Sequence, residues 1–370
     1  MKKNKVKIKK QTLVFLDFDD IKNPLLAAGQ ARATVEVGKR LVEKGFEVIS
    51  ICSKYPGYKD RVENGIYYKH IGIGTNNIKL NNIFYILSIP WIVKSLKCDL
   101  IIECFTAPIS TLMSPLWTKI PVIAIPTSFE ADRFSQLYHF PFDKVERFGM
   151  KHYKYFLPYT KHMEEKFKKV NPKVITEIIP EGVGKEFFKI KKRTPKHILY
   201  LGRFDVGQKG IDLLLEAYAK IKHQSKYPLV IAGKGPDENN IKKLIKEYSL
   251  LNKVKVQGAA YGEKKAKLLS ESLFVLMPSR HEGFSLFALE ALASGNPLVG
   301  FDIPGLSWSN DKAIYKAKPF DIDSYSKLIL RAEREVEKNK LGERARKLAG
   351  NYSWDSVADK FSTFINKVIN

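Results

Sequence analysis

Two series of short apolar runs, separated by longer stretches with one-sided apolar spacing, organise this chain. In the first half the runs fall at residues 12–17, 47–52, 99–103, 120–125 and 174–179. In the second they fall at 198–202, 229–233, 254–257, 273–277 and 297–301. Runs of this length, bounded by glycine, proline and polar residues, read as strands buried on both faces. The intervening stretches read as helices. The clearest are 30–44 and the stretch after Gly210, where Ile211, Leu214, Leu215, Tyr218 and Ile221 share one face. Such alternation predicts an α/β protein with two doubly wound parallel sheets. The lysine-rich segment 184–196 reads as the linker, which predicts a first domain over 1–185 and a second over 186–351. Residues 352–370, with Trp354, form an amphipathic last helix. Ligands of such sheets bind beyond the strand C-terminal ends, so a cleft between the two domains is the expected site.

Composition narrows the class. With 370 residues, 44% of them apolar and 28% charged, the chain has ample material for two folded domains. The net charge of +24 divides about evenly between the halves, so there is no basic tail or single basic module. An anionic membrane surface and general lysine bias remain as readings of it. Nucleic acid does not, because no recognisable nucleic-acid module is present. Cys52, Cys98 and Cys104 lack CxxC spacing and read as buried free thiols, with no zinc site. The basic start is followed by an apolar stretch, 13–16, that is too short for a signal peptide. The longest uncharged apolar stretch, 83–93, is too short to span a bilayer and contains Pro90. The expected location is the cytoplasm. Residues 143–155 mix Lys144, Arg147, Lys151 and Lys154 with Phe148, His152, Tyr153 and Tyr155. Read as a helix, this suits peripheral contact with an anionic membrane.

Candidate chemistry gathers in the second half. Residues 278–295 read Pro-Ser-Arg-His-Glu-Gly-Phe-Ser-Leu-Phe-Ala-Leu-Glu-Ala-Leu-Ala-Ser-Gly. Ser285 is a good N-cap and Gly295 a good stop, which predicts a helix over 286–294. That helix is apolar almost all round and therefore buried, yet Glu290 lies in its middle. A buried carboxylate needs several donors, either an internal Arg or the ribose hydroxyls of a nucleotide. Glu282 lies in the loop before the helix, where free backbone N–H groups can meet sugar and phosphate oxygens. Upstream, the strand ending at Gly202 opens into Arg-Phe-Asp-Val-Gly-Gln-Lys-Gly. Lys209 is then expected at the start of the following helix, where the macrodipole disfavours a cation and a bound anion would relieve it. Arg203 offers a planar fork suited to phosphate.

The Glu, seven residues, Glu spacing in its Glu-Gly-Phe-Ser-Leu…Leu-Glu-Ala-Leu-Ala-Ser-Gly context resembles the signature of retaining glycosyltransferases of family 4. The Gly-Arg…Lys-Gly segment is similar to that family's diphosphate-binding pair. The resemblance covers almost the whole chain and is most specific over 199–300. It implies the GT-B fold, two Rossmann-like domains facing each other across a cleft. It also implies transfer of a sugar, with retention, from a nucleoside diphosphate (a UDP-sugar ahead of GDP-mannose) to a hydroxyl of a glycan or lipid-linked acceptor, in polysaccharide or glycolipid synthesis. By resemblance, Arg203 and Lys209 hold the diphosphate, Glu290 the ribose, and Glu282 with Gly283, Phe284, Ser285 and Leu286 the donor sugar. Gly29, in Ala-Gly-Gln-Ala-Arg before a helix, matches the glycine-rich loop near the donor phosphates. The nucleotide sugar is a substrate, and neither a cofactor nor a metal is implied. In relatives the last helix crosses back to the first domain. Several positions depart from the family pattern. Pro126, Thr127 and Ser128 stand where a His is frequent, Glu181 stands where Asn is commoner, and the loop after Phe301 lacks a frequent Glu. Asp17-Phe-Asp19 looks like the metal-binding Asp-x-Asp of the other major glycosyltransferase fold, but it ends the first strand, away from any donor motif. A nucleotide-sugar epimerase of the same fold and a non-catalytic partner subunit stand as alternatives.

Overall fold

The computed structural model describes residues 10–26, 29–104, 108, 111–126, 129 and 131–370. Ala28, ahead of Gly29, and Thr127 and Ser128 lie outside the described residues. The chain divides into two compact units, Met1–Pro180 with Trp354–Asn370, and Glu181–Ser353.

In the first unit the described strands are β1 (Thr12–Leu16), β2 (Glu47–Ser53), β3 (Arg61–Glu63), β4 (Ile66–Ile71), β5 (Leu100–Cys104), β6 (Val122–Ile125), β7 (Tyr155–Phe156) and β8 (Ile175–Thr176). Their order is β3-β4-β2-β1-β5-β6-β7-β8, parallel throughout except where β3 runs antiparallel to β4. Val14, Leu16, Ile101, Ala124 and Phe156 bring the sheet into one apolar core, where the Phe156 and Phe167 rings stack 4.0 Å apart. The last helix, Trp354–Ile369, buries Trp354, Val357, Phe361, Phe364 and Ile365 in this unit. Arg40 and Lys44 pair with its Asp355 and Asp359 at 2.7 and 2.5 Å. Pairs with at least one solvated partner contribute little, and the apolar face holds the helix in place.

The second unit holds β9 (His197–Leu201), β10 (Leu229–Ala232), β11 (Val254–Gln257), β12 (Ser272–Met277), β13 (Leu298–Phe301) and β14 (Ile314–Ala317). The order β11-β10-β9-β12-β13-β14 is parallel throughout. Numbered within the unit this is 3-2-1-4-5-6, the Rossmann order, with its direction reversing between β9 and β12. Every residue of β12 is buried, as its uninterrupted apolar run requires.

Several expectations need correction. Strands β3, β4 and β14 had no counterpart in the apolar runs. In β4 exposed Tyr67 and Lys69 alternate with buried residues, and β3 is a three-residue edge. The helix expected over 143–155 is Phe142–Met150. It ends because Tyr153 turns inward, donating its hydroxyl to Glu103, and Tyr155 joins β7. The segment 184–196 is no free linker. It contains the short helix Lys185–Phe188, and Lys192 reaches Leu269 O at 3.0 Å and Asn296 Oδ1 at 2.6 Å within the second unit. Cys52 and Cys104 are buried free thiols, whereas Cys98 is half-buried.

Candidate active site

The site forms where the second sheet reverses direction. Arg203 and Lys209 follow β9, and 282–290 follow β12, so both predicted motifs leave the C-terminal ends of the two strands at the switch point. Small residues let these loops pack closely on each other and on the loops that follow β10 and β13. A Cβ on Gly233 would meet Gly202 O at 1.9 Å, and one on Gly305 would meet Glu282 O at 2.5 Å. Gly210, at φ +64°, passes so close to Pro278 O that a side chain there would collide at 2.1 Å. Arg280 locks the two loops together. It forms a fork to Asp212 (2.7 Å twice) and also donates to Val206 O.

Lys209 does not open the long helix after Gly210. It closes the four-residue helix Val206–Lys209, and Gly210, in the left-handed region, caps both that helix and Ile211–Ile221. Its ammonium, expected to await an anion, already meets one. Nζ lies 2.7 Å from Glu282 Oε1, which also accepts from Ser279 Oγ at 2.7 Å. Arg203 is the freer cation, about half exposed, bonded to Gln208 Oε1 and 3.1 Å from Asp205 Oδ2. Ser285 caps the helix Leu286–Ala293, accepting from Ala288 N–H. Gly283, Phe284, Ser285 and Leu286 form the approach to that helix opening, whose first N–H groups lack intrahelical partners. The Phe284 ring lies 5.4 Å from Trp308, whose buried indole Nε1–H has no partner among the described residues.

Glu290 is buried, as the apolar helix predicts, but its partner is an internal cation. Lys265, from the helix Gly262–Ser270, donates to Oε2. Lys265 stands three and four residues before buried Leu268 and Leu269, so helical spacing places it on the inward face. That spacing was the available signal, hidden among neighbouring lysines. Glu181 was also missed as a site group. It is 7% exposed and makes no hydrogen bond among the described residues. Burial, with the Glu282 and Glu290 carboxylates nearby, pushes its pKa up to about 8, which makes it a neutral acid at pH 7. Glu181 thus lies within electrostatic reach of Glu282 and Glu290, which are paired with Lys209 and Lys265. Gly29 belongs to the first unit, where it is exposed and opens the helix Gly29–Glu43.

The acidic run after β1 is turned inward. Asp17 accepts from Thr34 Oγ1 and Asp19 N–H, and burial raises its pKa to about 6. Asp20 is buried too, but its fork with Arg61 and its bond to His70 outweigh burial and hold its carboxyl far below the usual range. These carboxylates are committed to internal partners.

Over 95% or more of this chain, solved structures share its fold. Sucrose-phosphate synthase from Thermosynechococcus elongatus superposes with TM-score 0.77, 18% identity, and coverage of 97% of this chain and 99% of that one. HepE from Anabaena, solved with UDP and glucose, gives 0.74 at 13% identity, covering 96% and 100%. The architecture is therefore the GT-B fold. The family model "Glycosyltransferase Family 4" matches residues 27–187, and "Glycosyl transferases group 1" matches 184–348. This chain belongs to the group 1/family 4 glycosyltransferases. The MMP alpha-(1->4)-mannosyltransferase of Mycolicibacterium hassiacum is 29% identical over 52% of this chain and 48% of its own length. A GDP-mannose:cellobiosyl-diphosphopolyprenol alpha-mannosyltransferase of Xanthomonas oryzae pv. oryzae is 28% identical over 44% and 45%. The chain spans about half the length of these curated relatives.

Proposed function

We propose that this protein is a retaining glycosyltransferase that moves a sugar from a nucleoside-diphosphate donor to an acceptor hydroxyl. The observation that carries the reading is the convergence of Arg203, Lys209, Glu282 and Glu290 at the Rossmann switch point of the second unit. Arg203 and Lys209 take the leaving diphosphate, and neutralising its developing charge is the main help the bond cleavage needs. A phosphate drawing on Lys209 competes with Glu282 for the same ammonium. Donor binding then frees a Glu282 oxygen for the sugar's hydroxyls. Glu290 keeps one oxygen on Lys265 and offers the other to ribose. The helix opening at Ser285 adds backbone donors. Acceptor attack on the donor's own face, with the leaving phosphate taking the acceptor proton, requires no side-chain base.

The relatives named above are α-mannosyltransferases, and a solved neighbour carries UDP with glucose, which supports testing UDP- and GDP-sugars together. We place the acceptor among glycans and lipid-linked glycans met at a membrane surface, the protein being peripheral to it. Because cationic side chains and helix N-termini carry the charge work, transfer is expected to proceed without a divalent ion. A thermal-shift panel of nucleotide sugars in excess EDTA tests the site. Stabilisation by one base's diphosphate sugars is the expected result. Stabilisation by none, or only on adding manganese, contradicts the reading.

A further inference from the structure

The helix Ile78–Ser95 of the first unit is apolar on both faces. Tyr85, Ile89 and Val93 pack into the core beneath it. The opposite stripe, Leu80, Phe84, Leu87 and Trp91, follows the spacing of four, three and four residues that aligns one helix face, and it is left uncovered. Leu87 is 56% and Trp91 71% exposed. Ordinary solvated helices put polar residues on that side, and an exposed apolar patch of this kind marks a contact surface. The patch continues at both ends. Lys79 Nζ lies 5.7 Å from the ring of Tyr138, beside exposed Leu137, and Lys94 Nζ lies 5.1 Å from the ring of half-exposed Trp117.

We propose that this face of the first unit is the surface by which the protein lies on an anionic lipid bilayer. The inference deepens the peripheral attachment proposed above and rests on it. Charge selects the occupant. Between residues 74 and 98 there is no Asp or Glu, while Lys79, Lys94 and Lys97 are exposed around the stripe. A second copy of the chain would bring the same lysines and another +24 against them. An anionic headgroup layer receives those cations, and its acyl boundary receives the leucine and tryptophan side chains. Trp91 and Trp117, the latter with the Lys94 head beside its ring, suit the depth where an apolar body meets water. No helix of the described residues is long and apolar enough to cross a membrane, so the helix rests in the plane of the interface. The surface differs from the one the sequence suggested. The helix Phe142–Met150 exposes Phe148 among its cations, but it presents no continuous apolar stripe.

The test is sedimentation of the full chain with vesicles of phosphatidylcholine and phosphatidylglycerol at low salt. Leu87→Ser and Trp91→Ser are each expected to weaken partition by on the order of tenfold, and together by about a hundredfold. The thermal unfolding temperature and nucleoside-diphosphate affinity should stay unchanged, since neither side chain is in the core or the donor site. Arg147→Ala with Lys151→Ala should keep most of the binding. If the double serine variant binds like the parent while the Arg147/Lys151 variant does not, the attachment stands and this face is wrong. If the parent itself fails to bind, the peripheral reading fails with it. A parent dimer that the serine variant dissociates would assign the stripe to a second copy and overturn the proposal.

Discussion

Replacing Lys209 by alanine is expected to weaken nucleoside-diphosphate binding by one to two orders of magnitude and also to destabilise the second unit by roughly 3 kcal/mol. The two effects have separate origins. The first is loss of a charge-assisted contact to phosphate, about 1.5–3 kcal/mol. The second arises because Lys209 is the cation that meets Glu282, whose carboxylate is 8% exposed. Removing one partner of a largely buried pair leaves the other desolvated and unpaired, at about 3–5 kcal/mol when fully enclosed. Ser279 still donates to Glu282, and Lys209 is itself partly exposed, which sets the lower end. Adding Glu282→Gln to Lys209→Met should therefore restore the urea midpoint without restoring nucleotide affinity. Arg203→Ala, at an exposed fork, should lose affinity with an unchanged midpoint. Equal affinity in folded Lys209→Ala protein would remove the lysine from the donor site.

Glu181 should make stability fall with pH across a range where carboxylates ordinarily have no effect. Its folded pKa, about 8, lies above the ordinary 4.5 because burial comes first and the Glu282 and Glu290 carboxylates second in disfavouring its ionised form. A carboxyl raised in this way contributes stability that is fully present below pH 4.5 and is lost as pH rises through about 8. Between those limits the loss is at most about 1.4 kcal/mol per pH unit. Asp17, raised to about 6 by burial, adds a similar slope only at lower pH. Lys192 acts in the opposite sense. Burial pushes its ammonium down to about 7, so it favours folding increasingly from there upward. The readout is accordingly the difference between wild type and Glu181→Gln in denaturant titrations from pH 6 to 9. The variant should gain most at the alkaline end, and its diphosphate affinity should not share the wild type's decline above pH 8, where a third carboxylate would face the donor. Parallel curves for the two proteins would show that Glu181 is already ionised.

The legible parts of this chain were those in which burial alone dictates the pattern. Strands β10, β12 and β13 are continuous or nearly continuous apolar runs, and the helix around Glu290 is apolar because most of it is enclosed. Ser285 as cap and Gly295 as stop followed from local backbone chemistry. Strand β4 escaped because alternate residues face water, and the helix after Phe142 was drawn too long because Tyr153 pairs inward with Glu103, a partner fifty positions away. The same limit applied inside the site. Spacing could place Glu290 in an apolar helix, but the choice between an internal cation and a ribose depends on which lysine the fold brings back. Lys265 comes from a different helix, and Glu282 reaches Lys209 across 73 residues. Glu181 stood out in sequence only as a departure from the family pattern. Its chemistry arises from burial first, and then from two carboxylates a hundred residues on.

Sugar transfer with retention at the second-unit site can be read from proton NMR of the product formed from an α-linked nucleoside-diphosphate glucose or N-acetylglucosamine, whichever stabilises the protein. An anomeric proton with the small coupling of an α-linkage, appearing in the presence of EDTA and only with acceptor present, is the predicted result. The large coupling of a β-linked product, or conversion of the donor to its epimer with no acceptor added, would contradict it.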